Sequence, residues 1–147
     1  MVFQKKIILP SFSKGFHLIT DYVTQELPKI TGVAHVFIQH TSASLTINEN
    51  ADPNVLKDLK KYMQSIVPYD SYLSLSINRE EISYKHYQEG ADDMPAHIKT
   101  SLTNTCLSLS FQDGKIRLGT WQAVYLWEHR FDQKERIINV HIIGEKK

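Results

Sequence analysis

Among the 147 residues there is one cysteine, Cys106. An internal disulfide is therefore excluded, and the fold has to be held by its apolar core. Cys106 lies in an alternating stretch where a small buried residue fits, and nothing local and basic would lower its pKa, so a packing role is expected rather than a catalytic one. Charge of one sign is equally scarce: 17 Lys and Arg stand against 16 Asp and Glu, a formal balance of +1. The basic doublets Lys5-Lys6, Lys60-Lys61 and Lys146-Lys147 are dispersed. With no basic stripe, no nucleic-acid partner is expected. Residues 1–10 lack an apolar signal core, and no apolar run approaches the roughly 18 residues of a membrane span. No membrane partner is expected, and a cytoplasmic location is. Phosphate-cradling loops of the G-x-x-x-x-G-K-[ST] type and G-x-G-x-x-G turns are missing, as is a G-x-S-x-G elbow around Ser42 or Ser44, so nucleotide hydrolysis, dinucleotide binding and a serine nucleophile find no support.

What is present reads as one domain over residues 1–147, with 41% hydrophobic and 22% charged residues. Phe3 to Leu9 predicts a strand. From Gly15, the apolar residues Phe16, Ile19, Val23 and Leu27 fall at helical spacing, with Ser13 as a cap, and predict an amphipathic helix as far as Pro28 or Gly32 with His17 on its surface. Val33 to Ile38 predicts a buried strand. Asp52-Pro53 opens a second helix, whose stripe Leu56, Leu59, Met63, Ile66 and Val67 lies opposite Lys57, Lys60 and Lys61, and Pro68 ends it. Residues 68–92 are irregular, with a short alternation over Tyr72 to Ile77, and Met94 to Leu102 predicts a short helix with Asp93 at its start. The remainder is β: Leu107, Leu109 and Phe111, a turn at Asp113-Gly114, then Ile116 and Leu118, Thr120 to Glu128, and Arg136 to Ile143. The sum is an α+β fold, mostly antiparallel sheet packed with two to three helices.

Between the strand ending at Ile38 and the helix starting at Pro53 runs an unusually polar passage, His40 to Asp52. Each of its hydrogen-bonding groups that is buried needs a partner, and a polar site accounts for their number. Seven histidines are present. His40, His86 and His97 each stand beside carboxylates or amides, a composition that suits a divalent metal with an open position. No pair has the i, i+4 spacing of a strong metal motif, and separately satisfied histidines account for the same pattern. Asp93 and His97 are four apart on a predicted helix, so the carboxylate either orients the imidazole or merely begins the helix. Asp52 is either a cap alone or a site carboxylate as well. Glu128 ends an apolar strand and is either a partly desolvated base or ligand or a rim residue paired with His129 or Arg130. His35, His129 and His141 are explained by strand packing or exposure.

Four groups of residues, Gly15-Phe16-His17-Leu18, His40 to Thr46 with Asn48-Glu49-Asn50 and Asp52-Pro53, Glu89 to Pro95 with His97-Ile98-Lys99, and Gly119-Thr120-Trp121-Gln122 with Glu128-His129-Arg130, closely resemble the YjbQ-like family, whose members are named secondary thiamine-phosphate synthases. The resemblance implies a homotrimer of small α+β subunits acting on a small phosphorylated molecule. The implied activity joins an aminopyrimidine diphosphate to a thiazole phosphate with release of pyrophosphate. Carried over by motif, His40, His86 and His97 are the metal or phosphate contacts, the ion being Zn or Mg. His40, Glu49 and Glu128 are the catalytic candidates, while Thr41, Ser42, Asn48, Asp52, Asp93 and Gln122 are candidates for holding substrate. Departures are Ala51, where some relatives carry cysteine, and Ser71 to Glu81, which looks longer than in close relatives. A metal-dependent hydrolase and a non-catalytic trimeric binding module would use the same residues.

Overall fold

Eight residues, Val2–Leu9, form the first strand (β1), with Ile7 and Leu9 turned to the core. The computed structural model describes residues 1–146. β1 pairs with β10 (Arg136–Glu145), β10 with β3 (Thr31–Ile38) and β3 with β7 (Cys106–Gln112), and the two-residue β8 (Lys115–Ile116) ends the sheet. A second sheet of three strands has β9 (Gln122–Glu128) between β2 (Gly15–Leu18) and β4 (Ala43–Glu49). A small hairpin of β5 (Ser71–Leu73) and β6 (Glu81–Ser83) stands apart. All of these pairs are antiparallel. Three helices complete the fold: α1 (Thr20–Thr24), α2 (Pro53–Ile66) and α3 (Asp93–Leu102). The expected α+β class, antiparallel sheet with helices, is what the structure shows.

The core lies between the inner faces of the two larger sheets. Leu9, Val36, Ile38, Leu109, Ile138 and Val140 from one meet Ala43, Leu45, Val124 and Leu126 from the other, with Ile19 and Val23 closing one end. Period-two alternation decides which side chains point inward. On β4, Ala43, Leu45 and Ile47 face this core, which leaves Ser44, Thr46 and Asn48 on the opposite face. β3 and β10 approach closely at Gly32 and Gly144, where a Cβ on Gly32 would stand 2.1 Å from the Ile143 carbonyl oxygen.

Four expectations need correction. The predicted helix from Gly15 is β2 followed by the one-turn α1. Its apparent helical spacing arises because Phe16 on a strand and Ile19 and Val23 around a single turn all reach apolar surroundings. Pairing with β9, and Phe16 stacked on Trp127 at 4.3 Å between centroids, override the local propensity. The polar passage after His40 is mostly the strand β4, so its alternation, and not a loop, presents the hydroxyls. The alternation over Tyr72 to Ile77 yields only three strand residues, and Leu75 and Ile77 are fully exposed. Cys106 is exposed on the outer face of β7.

Asp52 caps α2 as expected: its Oδ1 accepts from Asn54 N at 2.9 Å with Pro53 at the first position. Among the described residues α2 has no buried side chain, so its apolar stripe is only half covered. Because packing contributes little to this helix, the cap matters more; Asp52→Ala should lower stability by about 1 kcal/mol, read as a shift of the urea midpoint.

Candidate functional site

Three side chains meet where α3 begins. Asp93, at the first turn, is 2% exposed. Its Oδ2 lies 2.5 Å from His86 Nε2 and 3.3 Å from His97 Nε2, and the two imidazole centroids are 5.4 Å apart. The helical i, i+4 spacing delivers His97 to Asp93, and the segment after β6 delivers His86. One ligand atom from each lies within 4.8 Å of the others. Both rings are partly open to solvent.

The hydrogen bonds around this cluster fix its chemistry. His97 Nδ1 lies 2.8 Å from the Thr41 carbonyl. A carbonyl only accepts, so Nδ1 carries the hydrogen, and in the neutral ring Nε2 presents a lone pair to the carboxylate. Two lone pairs facing each other repel unless a proton or a metal ion lies between them. Arg130 Nη1 donates to Asp93 Oδ1, while its Nη2 donates to the Glu89 carbonyl at 2.8 Å. The neighbouring Asp92 accepts from Phe131 N at 2.7 Å. A ligand imidazole that donates its other N–H to a backbone carbonyl, and a ligand carboxylate held by a buried guanidinium, are the supports metal centres use. Two imidazoles and a carboxylate with an open side fit a divalent transition ion better than Mg, which prefers oxygen donors.

The remaining sequence candidates are dispersed. His40 does not join His86 and His97: its Nε2 accepts the Ile137 amide at 2.8 Å, and Asp93 stands in the cluster instead. Burial, reinforced by Arg136, lowers its pKa below the ordinary value. Glu128, expected either as a base or ligand or as a rim residue paired with His129 or Arg130, lies at the centre of a closed ion pair with Arg136. It is fully buried, with Arg136 Nε donating to Oε2 and Arg136 Nη2 donating to Oε1, each at 2.6 Å, and Arg130 N donating to Oε1 at 3.0 Å. Ser42 is spent on the same guanidinium through its carbonyl and hydroxyl. Thr41 contributes through its carbonyl. At the far end of β4, Asn48 Oδ1 accepts from Glu49 N, Glu49 Oε2 accepts from Asp52 N at 3.3 Å, and Gln122 Oε1 accepts from Gly119 N. Glu49 and Asp52 line a shallow depression with Phe16 and Tyr125. Six strand steps from Ala43 to Glu49 span roughly 20 Å, so this depression and the His86–Asp93–His97 cluster lie at opposite ends of β4.

A second concavity, of about 600 Å³, opens between α2 and the end of β9. Lys14, Lys60, Lys61 and Lys99 line it, with His129 in its wall. Burial, then the Lys14 charge, brings the Lys99 pKa down to about 8. His129 is 1% exposed, and burial, followed by Lys99, Lys14 and Arg136, lowers its pKa to about 3. Its Nε2 is 2.9 Å from Ser44 Oγ.

Residues 5–145 match the family model described as UPF0047 protein YjbQ-like. The chain belongs to this YjbQ-like family. It is 42% identical to UPF0047 protein YjbQ of Escherichia coli O157:H7, over 99% of this chain and all of that one. A UPF0047 protein of Synechocystis is 41% identical over 97% of this chain and 92% of its own length. Among solved structures, a conserved hypothetical protein of Thermus thermophilus superposes with a TM-score of 0.79 at 32% identity, covering 95% of this chain and 99% of that one. A YbjQ-like protein of unknown function from Sulfolobus solfataricus, with a TM-score of 0.77 at 23% identity and 99% coverage of both chains, shares the fold.

Within this YjbQ-like chain, sequence reasoning missed Arg130, which holds Asp93, and Lys99 and His129, which line the lysine cavity. Arg130 and His129 adjoin Glu128 in the Glu-His-Arg run, and Lys99 is two residues beyond His97. The available signal was three consecutive ionisable residues closing an apolar strand, which demands buried partners. Among the described residues no helix is long and apolar enough to cross a membrane.

Proposed function

We propose that this protein is an enzyme that binds a divalent transition metal through His86, Asp93 and His97 and acts on a small phosphorylated substrate. The reaction we assign is the thiamine-phosphate synthase reaction that the sequence resemblance implies. In it a C–N bond forms to the thiazole nitrogen while the C–O bond to the diphosphate breaks and pyrophosphate leaves. The observation carrying this reading is the convergence of His97 Nε2 and His86 Nε2 on Asp93 Oδ2 with the His97 tautomer set by Thr41. Zn suits this donor set better than Mg. When bound, such an ion supplies Lewis acidity toward negative charge that builds on the departing oxygens. Arg130 holds Asp93 through Oδ1, which leaves Oδ2 toward the two imidazoles, and Thr41 keeps the His97 ring from rotating. The same reading has the subunit working as a homotrimer in the cytoplasm.

Metal analysis of protein purified without chelator should find about one transition ion per chain, and His97→Ala or His86→Ala should weaken metal binding by roughly a hundredfold or more. Absence of metal from the parent protein, or equal metal in the variants, overturns the centre. Turnover of the two precursors, with and without added ion, reads the assigned reaction. Release of phosphate from a phosphorylated substrate in water alone would indicate a hydrolase, and binding without product at full metal occupancy would indicate a binding module.

A further inference from the structure

The concavity between α2 and the end of β9 holds four ammonium groups and, among the described residues, no carboxylate in its wall. None of the four lysines has a carboxylate within salt-bridge distance among the described residues. Lys99 is the decisive one. At 3% exposed it projects from α3 into the wall, where its Nζ donates to the neutral Gln64 Oε1 at 3.0 Å and lies 5.7 Å from the Tyr69 ring centroid. Buried ammonium groups are normally paired with an opposite charge, because desolvating an isolated one is costly. Lys14 is arranged similarly, bonded to the Tyr69 hydroxyl and lying over the Tyr69 and Phe131 rings at 4.5 and 4.3 Å. Two cations therefore share one aromatic platform with only neutral partners, and they come from different segments of the chain.

The backbone leaves room for a third. At Gly15, φ is +126°, and the Lys60 Nζ lies 3.9 Å from where a Cβ would be. A side chain at residue 15 would strain the backbone at that φ, while its Cβ would meet the Lys60 chain only at ordinary contact distance. Trp127 and the exposed ring of Phe131 supply flat apolar wall beside the charges. A cavity with several fixed ammonium donors, no competing carboxylate and aromatic sides matches a phosphoryl group joined to a planar organic body.

We propose that this cavity is a phosphoryl-binding site in which Lys14, Lys60 and Lys99 hold the phosphate oxygens and the Trp127–Phe131 wall holds the body of the ligand. The site is built from residues separate from His86, Asp93 and His97 and does not rest on a metal being bound there. Lys99, which feels the Asp92 charge but has no carboxylate in contact, then has a reason to be buried, since the ligand supplies the contacting anion. As a purely structural lysine it would be a net cost to the fold.

Calorimetric titration of chelator-treated protein at low salt, with inorganic phosphate and with phenyl phosphate as probes, tests this. Saturable binding is expected, weakened about tenfold or more by Lys14→Gln and by Lys60→Gln, and lost in Lys99→Met, while His97→Ala binds like the parent. Tighter binding of phenyl phosphate assigns an ester as the ligand; equal binding assigns the free ion, and in either case the site stands. Lys99→Met should also melt no lower than the parent, which a structural role for the ammonium would not allow. Should Lys99→Met fail to fold, the Lys14 and Lys60 variants decide. Absence of saturable binding, or binding that the Lys14 and Lys60 variants keep and His97→Ala loses, overturns the proposal.

Discussion

Glu128→Gln should lower the stability of this protein by about 3–5 kcal/mol, and its melting temperature by roughly 10 °C or more. The substitution keeps size and shape, so the whole effect is electrostatic. Arg136 is 2% exposed and spends Nε and Nη2 on the two Glu128 oxygens, with Ser42 as its other partner. Neutralising the carboxylate leaves a guanidinium out of water with hydroxyl, carbonyl and amide partners only. Removing both charges together is a different experiment: with Leu at 128 and Met at 136, much of the loss should be recovered, because neither member is then left buried alone. Chemical denaturation of the single and double variants checks both statements. Had Glu128 been the catalytic base that its place at the end of an apolar strand suggests, Glu128→Gln would fold with unchanged midpoint and lose only turnover.

A second large effect is expected with pH. In the folded protein the His129 ring titrates near pH 3, whereas in an unfolded chain a histidine titrates near 6.5. Between those values the unfolded chain takes up a proton that the folded one refuses. Stability should therefore be independent of this group above about pH 6.5 and fall as pH drops below it, by up to about 1.4 kcal/mol per pH unit. His40, also lowered by burial, adds to the slope with the same sign. The window from about pH 6.5 to 5 isolates the histidines, since most carboxylates titrate lower. His129→Gln, which retains a group able to bond Ser44, should flatten the urea midpoint across that window. An unchanged slope in the variant would show that the ring is charged in the folded state.

How much of this was legible in the sequence depended on whether the signal was local. Asp52-Pro53 before a helical stripe, Asp113-Gly114 between alternating strands, and Asp93 four residues before His97 are short-range patterns, and each lies in the structure where the pattern puts it. The Gly15 region has apolar spacing that suits a helix, and only the distant partner β9 makes it a strand. Glu128 and Arg136 are eight residues apart in chain and meet because β9 and β10 belong to different sheets that close on each other at that end. Nothing in the spacing announces such a pair. The lysine-lined cavity draws Lys14, Lys60 and Lys99 from three unconnected segments, and so it left no motif. His40 shares polar surroundings with His86 and His97, yet the residue contributed by that passage is Thr41, through a main-chain carbonyl that composition cannot reveal.

The end of β9 has a dynamic consequence. Residues 128–131 follow one another along the chain, and their side chains go in turn to the buried ion pair, the lysine cavity, the Asp93 cluster and the cavity rim. β9 is the central strand of its sheet, paired on both sides. The ladder on both sides ends at Glu128, and beyond it the Arg130 and Phe131 amides are held by the Glu128 and Asp92 carboxylates, so their hydrogen exchange reports on those two side chains and not on fraying of the sheet. Loosening either carboxylate should therefore raise exchange along the same short segment that carries His129 to the lysine cavity and Arg130 to Asp93.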